Sequence, residues 1–294
     1  MLTLLFDGIA YGMLLFVLSL GLAVTMGLMN FINLAHGAFA MAGGYVLVVL
    51  MHKHGWPFLA CLPAAFLVTA ALGALLERTL YRPMYSRPHL DQVLFSIGLT
   101  FMAVAAVDYT MGSQQVNVQT PEWLRGRFEF AFVEGSGAWT LGMGAYRLFI
   151  VVVCVALALG LQAILSGTRF GSRLRAAVDD PRVAAGLGIP VDRVFLLTFA
   201  FGSGLAGLGG ALGVDILGLD PSFPFKFMVY FLIVCAVGGT SSITGPLVAA
   251  LVLGIADVMG KYYVPKLGSF IVYALMIAIL LWRPQGLFTR ESRR

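Results

Sequence analysis

Long apolar runs follow one another almost without pause along this chain, each near the length that crosses a bilayer. They cover residues 8–28, a second run reaching 51, then 57–76, 93–111, 148–165, 194–217, 227–237, 247–259 and 270–281. About twenty apolar residues span a hydrocarbon core of about 30 Å as a helix, and a helix satisfies its backbone groups internally. The sequence therefore predicts an all-α, polytopic integral membrane protein of about eight or nine transmembrane helices, some broken or re-entrant. With 294 residues, 60% of them hydrophobic and 11% charged, little is left over for a separate catalytic domain. The whole of 1–294 reads as one transmembrane domain.

The charges set the orientation. Loops 77–91, 166–193 and 282–294 hold twelve of the nineteen Lys and Arg residues, which places them in the cytoplasm by the positive-inside rule. Strict alternation then gives nine crossings with an outer N-terminus, or eight if a Gly-broken run is re-entrant. The net charge of +5 follows from this bias rather than from a nucleic-acid-binding face. Cys61, Cys154 and Cys235 lie within apolar runs and read as packing residues, without disulfide or zinc spacing. The first Lys or Arg is Lys53, so the first run lacks the basic start of a secretory signal and is expected to remain a span.

The stretch 166–193 concentrates five Arg and three Asp. Asp179-Asp180 before Pro181 reads as an N-cap with proline at the first helical position, and Gly186, Gly188 and Pro190 read as the end of that helix. Upstream, 171–178 fits another short helix carrying Arg173 and Arg175. Two short helices on the cytoplasmic face suit docking of a soluble ATPase; a solvated loop obeying the positive-inside rule is the alternative. Residues 112–147 are expected outside, with the alternating 127–132 as a strand or hairpin at the interface. That region is either a face for a soluble receptor or a hairpin skimming the membrane.

Gly171, Arg175, Ala176, Asp180, Ala184, Gly188 and Ile189 together resemble the cytoplasmic motif of the permeases of bacterial branched-chain amino-acid ABC importers. Residues 27–37 with 41–45 are similar to that family's N-terminal signature, and 238–246 and 283–287 to its later ones. Asp179-Asp180-Pro181 and Thr240-Ser241-Ser242 depart from the usual pattern. The resemblance implies a multi-pass protein of the bacterial inner (plasma) membrane with a cytoplasmic C-terminus. It also implies a second related permease subunit, two cytoplasmic ATPase subunits and an extracytoplasmic amino-acid-binding protein as partners. ATP and Mg would belong to the ATPases, and no Gly-x-x-x-x-Gly-Lys-Ser/Thr phosphate loop occurs here. No cofactor, metal or catalytic residue is expected in this chain, which is not an enzyme by this reading.

On that reading Arg173, Arg175, Asp179, Asp180, Ala184 and Gly188 carry the docking site. Asn30, Asn33, His36 and Gly37 fall where an apolar run is interrupted, and irregular backbone at membrane depth is tolerated against protein or a water-filled path. They are the candidate translocation pathway, with Asn33 and His36 three apart and expected on one helix face. Helix caps or bonds between helices are the competing role. The break at 238–246 is either a counterpart of this element or a plain helix–loop–helix. Asp108, Asp215 and Asp257 read as proton relays or, better, as wet caps near outer span ends. The expected activity is ATP-driven import of branched-chain or other apolar amino acids by alternating access. Alternatives are an ABC permease for urea, an amide or an aromatic acid, and a proton-coupled secondary transporter.

Overall fold

The computed structural model describes residues 1–29, 31–131, 140–239, 244–283 and 286–287. Among them the helices are α1 (Leu2–Met29), α2 (His36–His54), α3 (Phe58–Leu76), α4 (His89–Met111), α5 (Ala145–Gly167), α6 (Arg169–Asp179), α7 (Pro181–Gly186), α8 (Val191–Leu217), α9 (Phe223–Gly238), α10 (Thr244–Tyr263) and α11 (Gly268–Trp282). Helices α1, α3 with its continuation, α4, α5, α8 and α10 are each long and apolar enough to cross a membrane, and α9 and α11 supply shorter apolar helices. The all-α, polytopic architecture therefore holds. Strands β1 (Arg127–Ala131) and β2 (Thr140–Gly144) form an antiparallel hairpin with Arg127 opposite Gly144.

The chain folds as two compact units interleaved in sequence, one from residues 1–16, 119–157 and 233–294, the other from 17–118 and 158–232. In the first, the start of α1 crosses α10 through small residues. A Cβ on Gly12 would stand 2.7 Å from the Ala250 carbonyl oxygen, so only a bare backbone admits this approach. Arg147 pairs with Asp7, and Lys261 donates to Asp257 at 2.6 Å one turn away. The Thr3 hydroxyl accepts the Gly142 N–H at 3.2 Å, tying the hairpin to α1.

In the second unit α8 is the central helix, buried from Gly202 to Val214, with α2 and α3 packed on it. Its glycines make this possible: Gly207 lies directly against Gly43 of α2 on one side and against Thr69 of α3 on another. Polar residues within these helices satisfy themselves. Thr69 and Ser203 hydroxyls donate to Ala65 and Phe199 carbonyls at 2.6 and 2.7 Å. Helix α4 is polar inside and apolar outside: Gln92, Ser96 and Thr100 are buried while Leu94, Phe101 and Met102 are exposed. That inversion is what lipid solvent selects.

Three expectations need correction. Helix α3 does not stop at Leu76 but continues through a π turn (Glu77–Tyr81) and a 3-10 turn (Arg82–Met84), so Glu77 is buried and accepts the Tyr85 hydroxyl at 3.0 Å. Asp257, expected to be wet, is 2% exposed because Lys261 one turn on supplies its counter-charge. Asn33 lies ahead of α2, which begins at His36, so the two do not share a helix face. Cys61, Cys154 and Cys235 are buried as expected. Residues 240–243 of the second break, Trp139, and the tail from 288 lie outside the described residues.

In the turn after α8, partial burial pushes the Asp220 carboxyl up, but hydrogen bonds from Lys226 and Ser222 outweigh it and hold the group below its ordinary value. A depressed acid contributes stability in full above its unfolded value of ~4 and loses it as pH falls through the lower folded one. Asp220→Asn should therefore flatten the acid limb of a stability-versus-pH profile from about pH 4 downward, by less than about 1 kcal/mol at this partly open site. An acid limb identical to that of the unsubstituted protein would contradict this.

Candidate functional site

The docking stretch is a small folded platform within the second unit. Thr168 caps α6 by accepting the Gly171 N–H at 3.3 Å. Asp180 caps α7, its Oδ1 accepting the Arg182 and Val183 N–H groups at 2.9 and 3.0 Å, with Pro181 first in the helix. Gly188, at φ +81°, ends it: the left-handed turn lets the Ile189 N–H reach back to the Ala184 carbonyl at 3.0 Å, where a side chain would be strained. Leu174, Ala177, Ala184 and Val194 form a separate apolar core, with Phe170, Ile189 and Phe195 packed on it.

This placement divides the six candidate docking residues. Ala184 is 2% exposed and belongs to the platform's interior, Asp180 and Gly188 shape its ends, and Arg175 donates to the Leu165 carbonyl at the end of α5. Arg173 and Asp179 face outward. Outside the six residues read from the sequence, Val183 on α7 and Leu187 at its C-cap stand 58% and 76% exposed. Val183, an apolar residue about 100° round the helix from Ala184 and three positions after the Asp180 cap, was the available signal.

The break between α1 and α2 is strapped by side chains. Asn30 lies outside the described residues. Asn33 is 1% exposed; its Oδ1 accepts the Ala35 N–H at 3.1 Å and the Tyr81 hydroxyl at 3.0 Å. His36, also buried, bonds through Nε2 to the Leu18 carbonyl at 2.7 Å, with its ring edge-on to Phe231. A Cβ on Gly37 would stand 2.9 Å from Pro224 Cα. The remaining backbone of the break is served by α4. Gln92 Oε1 accepts the Ile32 N–H, Ser96 Oγ accepts the Leu34 N–H, and the Thr100 hydroxyl reaches the Leu34 carbonyl, at 3.4, 3.2 and 3.5 Å. Residues 92, 96 and 100 recur every four positions, one helix face.

Aromatic rings join the platform to the break. Phe195 meets Tyr85 edge-on at 5.9 Å, Tyr85 meets Phe31 at 5.6 Å, and Phe31 meets Tyr81 at 5.4 Å, whose hydroxyl ends on Asn33. The ion pair between Arg82 and Asp192 runs alongside. Such T-shaped pairs add about 0.5–1.5 kcal/mol each beyond their buried area. Among the described residues no three His, Cys, Asp or Glu side chains gather as a metal site.

Helices long and apolar enough to span a membrane, a capped platform of short helices and a strapped break between α1 and α2 fit a polytopic membrane protein of the permease type. A family model described as the branched-chain amino acid transport system / permease component matches residues 4–280, and the chain belongs to that family. It is 29% identical to the high-affinity branched-chain amino acid transport system permease protein LivH of Escherichia coli strain K12, across 98% of this chain and 95% of the relative. It is 30% identical to a probable branched-chain amino acid transport permease protein LivH of Methanocaldococcus jannaschii, across 95% and 90%. The corresponding permease protein LivM of E. coli is 25% identical, across 94% and 68%. No solved structure matches the chain.

Proposed function

We propose that this chain is the membrane permease subunit of an ATP-driven importer of branched-chain or other apolar amino acids. The observation that carries the reading is the α6–α7 platform, a folded unit with its own apolar core and exposed knobs at Val183 and Leu187. It suits docking by one of two cytoplasmic ATPase subunits, which hold ATP and Mg, while this chain binds no cofactor and performs no covalent chemistry. Similarity to both LivH and LivM supports pairing with a second, related permease. An extracytoplasmic amino-acid-binding protein delivers the solute, and the 112–147 region is its candidate face. The protein is a multi-pass component of the bacterial inner membrane, its C-terminus cytoplasmic.

ATPase closure presses on α6 and α7, and the ring contacts from Phe195 to Tyr81 carry the displacement to the break at residues 31–36. A rigid packed chain between two elements is what mechanical coupling needs. Asn33 and His36 act as fixed joints in this scheme because each is buried with its hydrogen bonds made inside the protein. Small-residue packing of α2 on α8 lets one helix slide past the other with little side-chain interlock.

Vesicles containing this chain with its permease partner, ATPases and binding protein test the reading. Uptake of leucine should require internal ATP, stop with vanadate and persist with an uncoupler. Uptake that survives vanadate and collapses with the uncoupler would overturn it.

A further inference from the structure

Within the second unit, the cytoplasmic ends of α1, α5 and α8 and the inner face of α6 enclose a cavity of about 220 Å³. Val24, Leu161, Phe170, Leu174 and Phe201 line it, and the hydroxyl of Thr198 in its wall already donates to the Val194 carbonyl at 2.7 Å. A buried water needs two to four polar partners, which these walls do not supply. The volume fits roughly seven groups of water size, whose share of liquid volume is about 30 Å³. The cavity opens outward between Ile164 and Leu197, 37% and 56% exposed. Ile164 lies in the last turn of α5 and Leu197 in the second turn of α8, so the opening is at the level of one membrane interface.

Arg169 and Arg173 flank the lining residues Phe170 and Leu174 on α6. Both are exposed, and among the described residues neither takes part in an ion pair. An apolar slot opening to lipid under two uncompensated guanidinium groups matches one amphiphile: an anionic phospholipid, its chain in the slot and its phosphate on the arginines. A second permease copy fits less well. Positive-inside topology would bring further cations to this same level and leave the arginines unneutralised.

We propose that this cavity is an anionic phospholipid site, with the acyl chain against Phe170, Leu174 and Leu197 and the headgroup held by Arg169 and Arg173. The proposal concerns lipid binding and is tested without transport. The purified protein is exposed to equal phosphatidylglycerol and phosphatidylcholine of matched chains, and retained lipid is counted by native mass spectrometry. Phosphatidylglycerol should be retained roughly thirtyfold over phosphatidylcholine, which is about 1 kcal/mol for each of the two arginines at an anionic surface. Arg169→Gln with Arg173→Gln should bring the ratio near one, and Leu197→Trp, which fills the slot from its exposed side, should reduce retention of both lipids. Soluble glycerol phosphate should not displace the lipid. Equal retention by the unsubstituted protein, an unchanged ratio in the double variant, displacement by glycerol phosphate, or a second protein copy in place of lipid would each overturn the assignment.

Discussion

Replacing Gly43 by leucine is expected to leave no folded protein in the membrane, while the same change at Gly160 is tolerated. A Cβ at Gly43 would fall on the backbone of Gly207, which has no side chain to rotate away, so α2 and α8 would have to part. They cannot part freely, because a Cβ at Gly207 would in turn fall on Thr69 of α3, and Gly210 sits against the Ala40 carbonyl one turn along. Overpacking against movable side chains costs about 1–3 kcal/mol, and a backbone-to-backbone clash at the centre of the unit exceeds that range. Around Gly160 nothing lies within 4 Å of an added Cβ. In detergent, Gly43→Ala should melt well below the unsubstituted protein, Gly43→Leu should give no monodisperse peak, and Gly160→Leu should match the parent. A Gly43→Leu protein with parental melting would contradict the close crossing of α2 on α8.

What the sequence revealed and concealed follows from how local each interaction is. Asp180, Pro181 and Gly188 act on backbone within five residues of themselves, so the start and end of α7 were legible from spacing. Alternation in 127–131 likewise announced β1. Gln92, Ser96 and Thr100 were equally visible, but the groups they serve lie 60 to 66 residues away, and no local rule names that partner. Asn33 misled for a related reason. Its spacing from His36 fits a helix, yet its carboxamide closes on the Ala35 N–H two residues ahead and holds the turn open until His36. Glu77 looked like the polar end of a span because its cover, Tyr85, arrives only once the chain has turned through the π segment. Asp257 looked wet because hydropathy marks the end of a run, not whether a lysine one turn later neutralises it within the fold.

The same division between local shape and exposed surface separates folding from docking in the platform. Charge reversal at Arg175 or Asp180 would disturb both, since Arg175 holds the end of α5 and Asp180 holds the first turn of α7. Losing an N-cap costs about 0.5–2 kcal/mol by itself. Asp180→Asn and Asp180→Ser, which keep an acceptor, should therefore retain receptor-stimulated ATPase activity, whereas Asp180→Ala should lose part of it together with thermal stability. Val183 and Leu187 are free of this ambiguity because both stand outside the platform's core. Val183→Asp with Leu187→Asp should leave expression, insertion and melting temperature as in the parent. In the assembled importer the same pair should lower receptor-stimulated ATP hydrolysis and uptake more than tenfold, because two carboxylates would be buried at an apolar contact without partners. Co-purification of the ATPase subunits should fall in parallel. Full stimulation in the double aspartate variant, with normal membrane levels, would remove α7 from the docking surface and leave the end of α6, at Asp179, as the face that remains.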